Sequence, residues 1–121
     1  MPLSWRDPAN LYDMLEAAEK VQHFLKNKTF EDFLRDDMLR AAVERNLEIV
    51  GEAARRVSEE VKQEHPEIPW RKIIAQRNVL IHEYDDIDYK EIWQVATFHL
   101  AQLIDQIKPL IPPLPPEVDD G

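Results

Sequence analysis

The chain of 121 residues has no cysteine and only two glycines. Without cysteine, a disulfide framework and a thiolate metal site are both excluded, as is typical of proteins of the reducing cytoplasm. No apolar run approaches the roughly 20 residues that span a bilayer, and no basic region followed by an apolar run stands at the start. We therefore expect a soluble, cytoplasmic protein without a signal peptide.

The chain also lacks an excess of basic residues. It has 24 acidic and 15 basic side chains, for a net charge of −9. General affinity for nucleic acid depends mostly on Lys and Arg, which release counterions from phosphates, so any nucleic-acid surface has to be local. Residues 68–82 offer such a surface, because this segment contains Arg71, Lys72 and Arg77 and no acid.

The scarcity of glycine and the long stretches of 3.6-residue periodicity predict an all-α protein. We expect an antiparallel bundle of four to five helices in a single domain, residues 1–110. The predicted helices cover about 7–26, a short segment from Thr29, 36–61, 70–83 and 88–108. Asp7 is the expected N-cap of the first helix. The proline-rich, acidic residues 111–121 predict an extended tail that adds nothing to the core.

The segment from Arg77 to Tyr84 places chemically active side chains in an otherwise apolar helix. Arginine grips phosphate through parallel hydrogen bonds, and the unperturbed pKa of histidine, ~6.5, suits proton transfer near neutral pH. Arg77 with His82 therefore suggests chemistry on a phosphodiester. On spacing alone, the favoured interpretation is two solvated side chains at the rim of a bundle, because an arginine and a histidine within one helix are common.

Helix geometry limits what these residues do together. Arg77 and His82 differ by about 140° around the axis and by roughly 7.5 Å along it, whereas Asn78 and His82 differ by only ~40°. One straight helix does not direct Arg77 and His82 at the same atom. Either the helix ends near His82 and turns this side chain, or a second chain supplies part of the site.

Four segments in order resemble one known family. Arg77-x4-His82-x-Tyr84 is similar to the signature of the HEPN superfamily, in its HepT-like toxin branch. Residues 49–58 resemble the second-helix segment of that branch, 68–74 the approach to the signature, and 87–93 the start of the last helix. The resemblance covers roughly residues 8–110.

The resemblance implies a HEPN-like helical bundle and a metal-independent ribonuclease that uses the RNA 2′-hydroxyl as its nucleophile. His82 would be the general acid or base, Arg77 would bind the scissile phosphate, and Asn78 would donate to a phosphate oxygen or orient His82. No cofactor is implied. The family forms its active cleft between two copies of the chain, so we expect a homodimer.

The resemblance also implies a partner. HepT toxins pair with a small nucleotidyltransferase antitoxin, MntA, which transfers AMP to the tyrosine of the signature, here Tyr84. A nucleotide on Tyr84 would bring a negative phosphodiester beside Arg77 and block this arginine's access to RNA.

Further residues are predicted to support the cleft. Arg71 and Lys72 bring positive charge to the signature helix, and Gly51, unfavourable within a helix, indicates a close helix approach. Glu52 is expected to form a surface ion pair with Arg55, or instead to face the cleft and hold Arg77. The histidines show no metal-site spacing. The alternative function is a catalytically inactive HEPN module that binds nucleotides or a partner, which the net charge of −9 favours.

Overall fold

The structure, a computed structural model, describes residues 6–82, 85 and 87–112. These residues form the following helices: α1 (Asp7–Leu25), α2 (Phe30–Arg35), α3 (Asp37–Arg56), α4 (Glu59–Glu64), α5 (Trp70–His82), α6 (Tyr89–Gln94) and α7 (Leu100–Ile107). A π-helical turn, Val95–His99, joins α6 to α7, and a 3-10 turn, Lys108–Leu110, follows α7. The described residues contain no strand, which confirms the predicted all-α bundle.

Helix α3 lies at the centre of the bundle, between α1 on one side and α5 on the other. Helix α7 packs in turn on α1. Full burial of each large apolar side chain contributes about 1.5–3 kcal/mol, and α5 adds Trp70 and Leu80 to the core. The largest apolar side chains that are almost fully buried are Phe33, Leu11, Met14, Ile68, Ile107, Val21 and Val43.

The start of α1 differs from the prediction. Arg6 occupies the N-cap position and makes no side-chain capping bond, whereas Asp7 lies inside the helix and is buried. The Asp7 carboxylate accepts hydrogen bonds from the Ser58 backbone N–H at 2.8 Å and from the Ser58 hydroxyl at 2.7 Å. The expected cap was wrong because a partner 51 residues away in sequence satisfies this carboxylate.

The long helix predicted over 36–61 is two helices. Helix α3 ends at Arg56, Val57 adopts an extended conformation, and Ser58 caps α4 by accepting from the Val61 backbone N–H. Both Val57 and Val61 are buried, so the apolar periodicity continues across the break. That continuity explains why the pattern predicts one helix.

Other predicted boundaries are confirmed. Thr29 and Asp32 form a reciprocal capping box at the start of α2, and Asp88 caps α6 by accepting from the Lys90 and Glu91 backbone N–H groups. Phe33 and Trp93, with ring centroids 5.6 Å apart, join α2 to α6.

The end of the bundle lies near the predicted domain boundary. Leu110 and Ile111 pack against the core, so the first residue of the predicted tail still contributes to the domain. Residues 113–121 lie outside the described residues, and their extended form stays a prediction. Within the described part of the chain, no helix has the length and apolar character needed to cross a membrane.

Candidate active site on the third and fifth helices

Arg77 extends from α5 across the surface of α3. Its Nη2 lies 2.9 Å from the Glu52 carboxylate on α3, and its Nη1 donates to the side-chain oxygen of Asn78 at 2.9 Å. Only 20% of the Arg77 side chain is exposed. Both interpretations of Glu52 describe the structure, because this carboxylate pairs with Arg55 at 2.8 Å and also lies against Arg77.

Gly51 is the reason why Arg77 fits against α3. A Cβ atom at position 51 would lie 2.2 Å from the Cβ and 2.9 Å from the Cγ of Arg77. It would also lie 3.1 Å from the backbone oxygen of Ile73, one turn earlier on α5. Gly51 therefore marks a close helix approach, as the sequence predicted, and this approach is centred on Arg77.

The contact between Arg77 and Glu52 is close in distance but poorly aligned. Oε2 of Glu52 and Nε of Arg77 are buried, and neither has a hydrogen-bond partner among the described residues. An unmade bond on a buried polar atom costs about 1–3 kcal/mol. Charge attraction, rather than a two-pronged hydrogen bond, therefore holds Arg77 against Glu52.

Glu52 is shared by three arginines. Besides Arg77, the guanidinium of Arg55 lies 2.8 Å and that of Arg56 lies 3.2 Å from Oε1 of Glu52. The hydrogen bond from Arg55, and then the positive charges of Arg55, Arg77 and Arg56, lower the pKa of Glu52. One ionised carboxylate thus faces three cations, which leaves a local positive charge on an acidic molecule.

His82 is the last residue of α5, and its side chain is exposed. Because α5 stays helical to this residue, His82 diverges from Arg77 as the helix geometry predicts. Among the described residues there is no hydrogen bond from Asn78 to His82, and Asn78 contacts Arg77 instead. One chain therefore brings Arg77, Asn78 and Glu52 together but leaves His82 apart.

The remaining predicted site residues stand separately. Arg71 and Lys72 are exposed in the first turn of α5, and neither forms an ion pair with another described residue. Tyr84 lies outside the described residues, so its modification stays a prediction. Within the described ranges, no group of three or more His, Asp or Glu side chains is arranged to hold a metal ion.

Sequence reasoning assigned no function to Arg56 and expected only a surface ion pair for Arg55. Both follow Glu52 at helical spacing, by three and four residues, so their side chains reach the same carboxylate. That spacing predicts the contacts of Arg55 and Arg56 with Glu52. It does not predict that Arg77 from α5 reaches the same carboxylate, because this contact depends on how the two helices pack.

The family model for HepT-like ribonucleases matches residues 14–110. A candidate RNase of Methanocaldococcus jannaschii is 41% identical over 95 residues, which cover 78% of this chain and 87% of that protein. A protein of Thermococcus cleftensis assigned as a ribonuclease HepT is 40% identical over 93 residues, covering 77% and 84% of the two chains.

A third relative, a candidate RNase of Caldanaerobacter subterraneus, is 35% identical over 101 residues, which cover 84% of this chain and 90% of that protein. No solved structure matches the chain. The match to the family model extends across the helices that contain Arg77, Glu52 and His82.

Proposed function

The chain belongs to the family of HepT-like ribonucleases, and we propose that it is a toxin that cleaves RNA without a metal ion. Cleavage would proceed through attack of the 2′-hydroxyl on the adjacent phosphate, with release of the 5′-oxygen. The observation on which the proposal depends is the placement of Arg77. The Arg77 side chain is only 20% exposed and packs against α3 at Gly51, so its positive charge is already in position to stabilise charge that develops on a phosphate.

Arg77 would bind the scissile phosphate and stabilise the charge that builds up on its oxygens in the transition state. Glu52 and Asn78 hold two of its nitrogen atoms, so little rotamer freedom remains to be lost when the substrate binds. Since Asn78 uses its side-chain oxygen for Arg77, its NH2 group remains a donor for a phosphate oxygen. Arg71 and Lys72 would add attraction for the strand.

His82 would transfer the proton, taking it from the 2′-hydroxyl or giving it to the leaving 5′-oxygen. A positioned acid or base of this kind contributes typically about 10²–10⁴-fold in rate. Its exposure at the end of α5 permits contact with a polymer substrate. Its divergence from Arg77 supports a site completed by a second copy, in which His82 of one chain approaches Arg77 of the other.

We propose that the ribonuclease is inactivated by modification of Tyr84, carried out by a nucleotidyltransferase antitoxin of the MntA type. AMP on this tyrosine would place a phosphate near Arg77 and occupy the position of the substrate. Tyr84→Phe is expected to retain ribonuclease activity and to stay toxic when the antitoxin and ATP are present. Loss of RNA cleavage in Tyr84→Phe itself would instead give this hydroxyl a catalytic role.

The test of the site is RNA cleavage by wild type and by His82→Ala. We expect the variant to lose at least about 10²-fold in rate while its melting temperature stays unchanged, because His82 is exposed. His23→Ala, at another exposed histidine near the end of a helix, is the matched control and should cut normally. Equal activity of all three proteins would refute the assignment, and a wild type that binds but never cuts RNA would favour the inactive binding module.

A further inference from the structure

The three arginines around Glu52 differ in how much of each side chain reaches solvent. Arg77 is 20% exposed, whereas Arg55 is 56% and Arg56 is 63% exposed. Arg55 and Arg56 are therefore free to meet a ligand that approaches along the end of α3. Their distance from Arg77 is limited by the width of the one carboxylate that all three contact.

The local charge is opposite to that of the whole molecule. The chain has a net charge of −9, but the cluster of Arg55, Arg56, Arg77 and Glu52 sums to +2. Glu52 stays ionised because its neighbours lower its pKa, so this excess persists across the neutral range. The nearby acid Glu59, at the start of α4, is offset by Lys62 at 3.8 Å.

A substrate phosphate on Arg77 would share this guanidinium with the Glu52 carboxylate and weaken the attraction between them. Glu52 also has Arg55 and Arg56 at 2.8 and 3.2 Å, so its charge stays compensated. The two exposed arginines thus make it less costly for Arg77 to bind a second anion. They also retain unused N–H donors, because a guanidinium offers five.

On these grounds, and resting on the proposed ribonuclease function, we propose that Arg55 and Arg56 form a second phosphate subsite, which binds the backbone phosphate next to the scissile one. The ligand is single-stranded RNA bound through its backbone, without reading of bases. The strand then runs from Arg77 toward the carboxyl end of α3. This subsite gives an acidic protein a defined RNA path.

The test uses His82→Ala as the parent protein, so that RNA remains uncut, and measures binding by fluorescence anisotropy. Arg55→Gln and Arg56→Gln are each expected to weaken binding on the order of fourfold at 0.15 M salt and to make the slope of log K against log salt shallower by about 0.7. Arg45→Gln is the matched control, because Arg45 is also exposed on α3 and pairs with Glu48 three residues on.

A second RNA distinguishes direct contact of Arg55 and Arg56 with phosphate from an effect through Glu52. In this RNA, uncharged methylphosphonates replace the phosphates on either side of the position at which the wild-type protein cuts the normal RNA. The parent should bind this RNA more weakly, and the Arg55 and Arg56 variants should bind it as the parent does. An equal loss on both RNAs would show that the arginines act through Glu52 on Arg77, and would overturn the subsite. So would unchanged binding of the normal RNA, or a loss as large in Arg45→Gln.

Failure of the ribonuclease function would appear separately, as wild-type protein that binds RNA in this assay but leaves it intact.

Discussion

At the scale of single residues, the site depends on a glycine and a carboxylate of α3 that both serve Arg77. Gly51 leaves the space that the Arg77 side chain fills, and Glu52, the next residue, supplies its counter-charge. These two residues are adjacent in sequence because Gly51 faces the contact between α3 and α5, and Glu52 lies at the edge of that contact.

Gly51→Ala has two opposite effects on stability, one from helix propensity and one from the packing of α3 against α5. In an exposed helix this change would stabilise by about 1 kcal/mol, but here the new Cβ would lie 2.2 Å from the Arg77 Cβ. Neither atom can turn away by changing rotamer, so α3 and α5 have to separate, which costs about 1–3 kcal/mol. We expect lower stability in urea unfolding together with reduced RNA cleavage. A gain in stability would contradict the close approach.

The predicted catalytic residues Arg77, Asn78 and His82 could be identified from the sequence because polar side chains of this kind are unusual within an apolar helix. Their mutual arrangement could be foreseen only in part. Helix geometry alone separates Arg77 from His82, whereas the contact of Asn78 with Arg77 depends on side-chain rotamers. Whether Glu52 faced Arg77 or only Arg55 could not be decided before the packing of α3 on α5 was known.

At the scale of helices, the sequence predicts helix boundaries that depend on residues close in sequence, but not those that depend on contacts between distant residues. The capping box of Thr29 and the cap at Asp88 follow from residues three apart or fewer. The break at Ser58 and the role of Asp7 depend on each other across 51 positions. The π-helical turn was also missed, since it arises where the Leu100 N–H donates to the Val95 oxygen, five residues back.

Helix α3 also contains a carboxyl group that its surroundings disfavour in the charged form. Burial raises the pKa of Glu44, as does the neighbouring Glu48 more weakly, while Arg40 acts in the opposite direction. Because the pKa is higher in the folded protein than in the unfolded chain, ionised Glu44 opposes folding. This opposition is absent below the unfolded pKa and complete above the folded pKa.

Glu44→Gln should therefore raise the melting temperature at about pH 7. At about pH 3 the melting temperature should stay unchanged, because the Glu44 carboxyl is then protonated in both the folded and the unfolded protein. Calorimetry of wild type and variant at the two pH values measures the difference. A variant that is less stable at neutral pH would mean that the attraction of Arg40 outweighs the effect of burial.

At the scale of the whole molecule, one chain does not bring the two predicted catalytic side chains together. Arg77 turns toward α3, and His82 stands exposed at the end of the same helix. A two-fold pair of chains that places His82 of one copy beside Arg77 of the other would complete two sites. The periodicity of the sequence predicts the helical bundle. It contains no information on the pairing of two copies, which we expect from the family resemblance alone.

Mixing two inactive variants tests the shared site. In a heterodimer of Arg77→Gln with His82→Ala, one composite site has both changes and the other has neither. We expect co-expressed variants to recover part of the wild-type cleavage, while each homodimer stays inactive. If purified heterodimers remain inactive, or if light scattering at micromolar concentration gives a monomer mass, the site does not combine residues of two copies.

We propose that this acidic helical protein cleaves RNA by using the 2′-hydroxyl of its substrate, without a metal ion. The most direct measurement is incubation of the wild-type protein with end-labelled RNA in excess EDTA, beside an all-deoxy strand of the same sequence. We predict that the RNA alone is cut and that the fragments end in a 2′,3′-cyclic phosphate. Cleavage of the deoxy strand, or cleavage that EDTA abolishes, would contradict it.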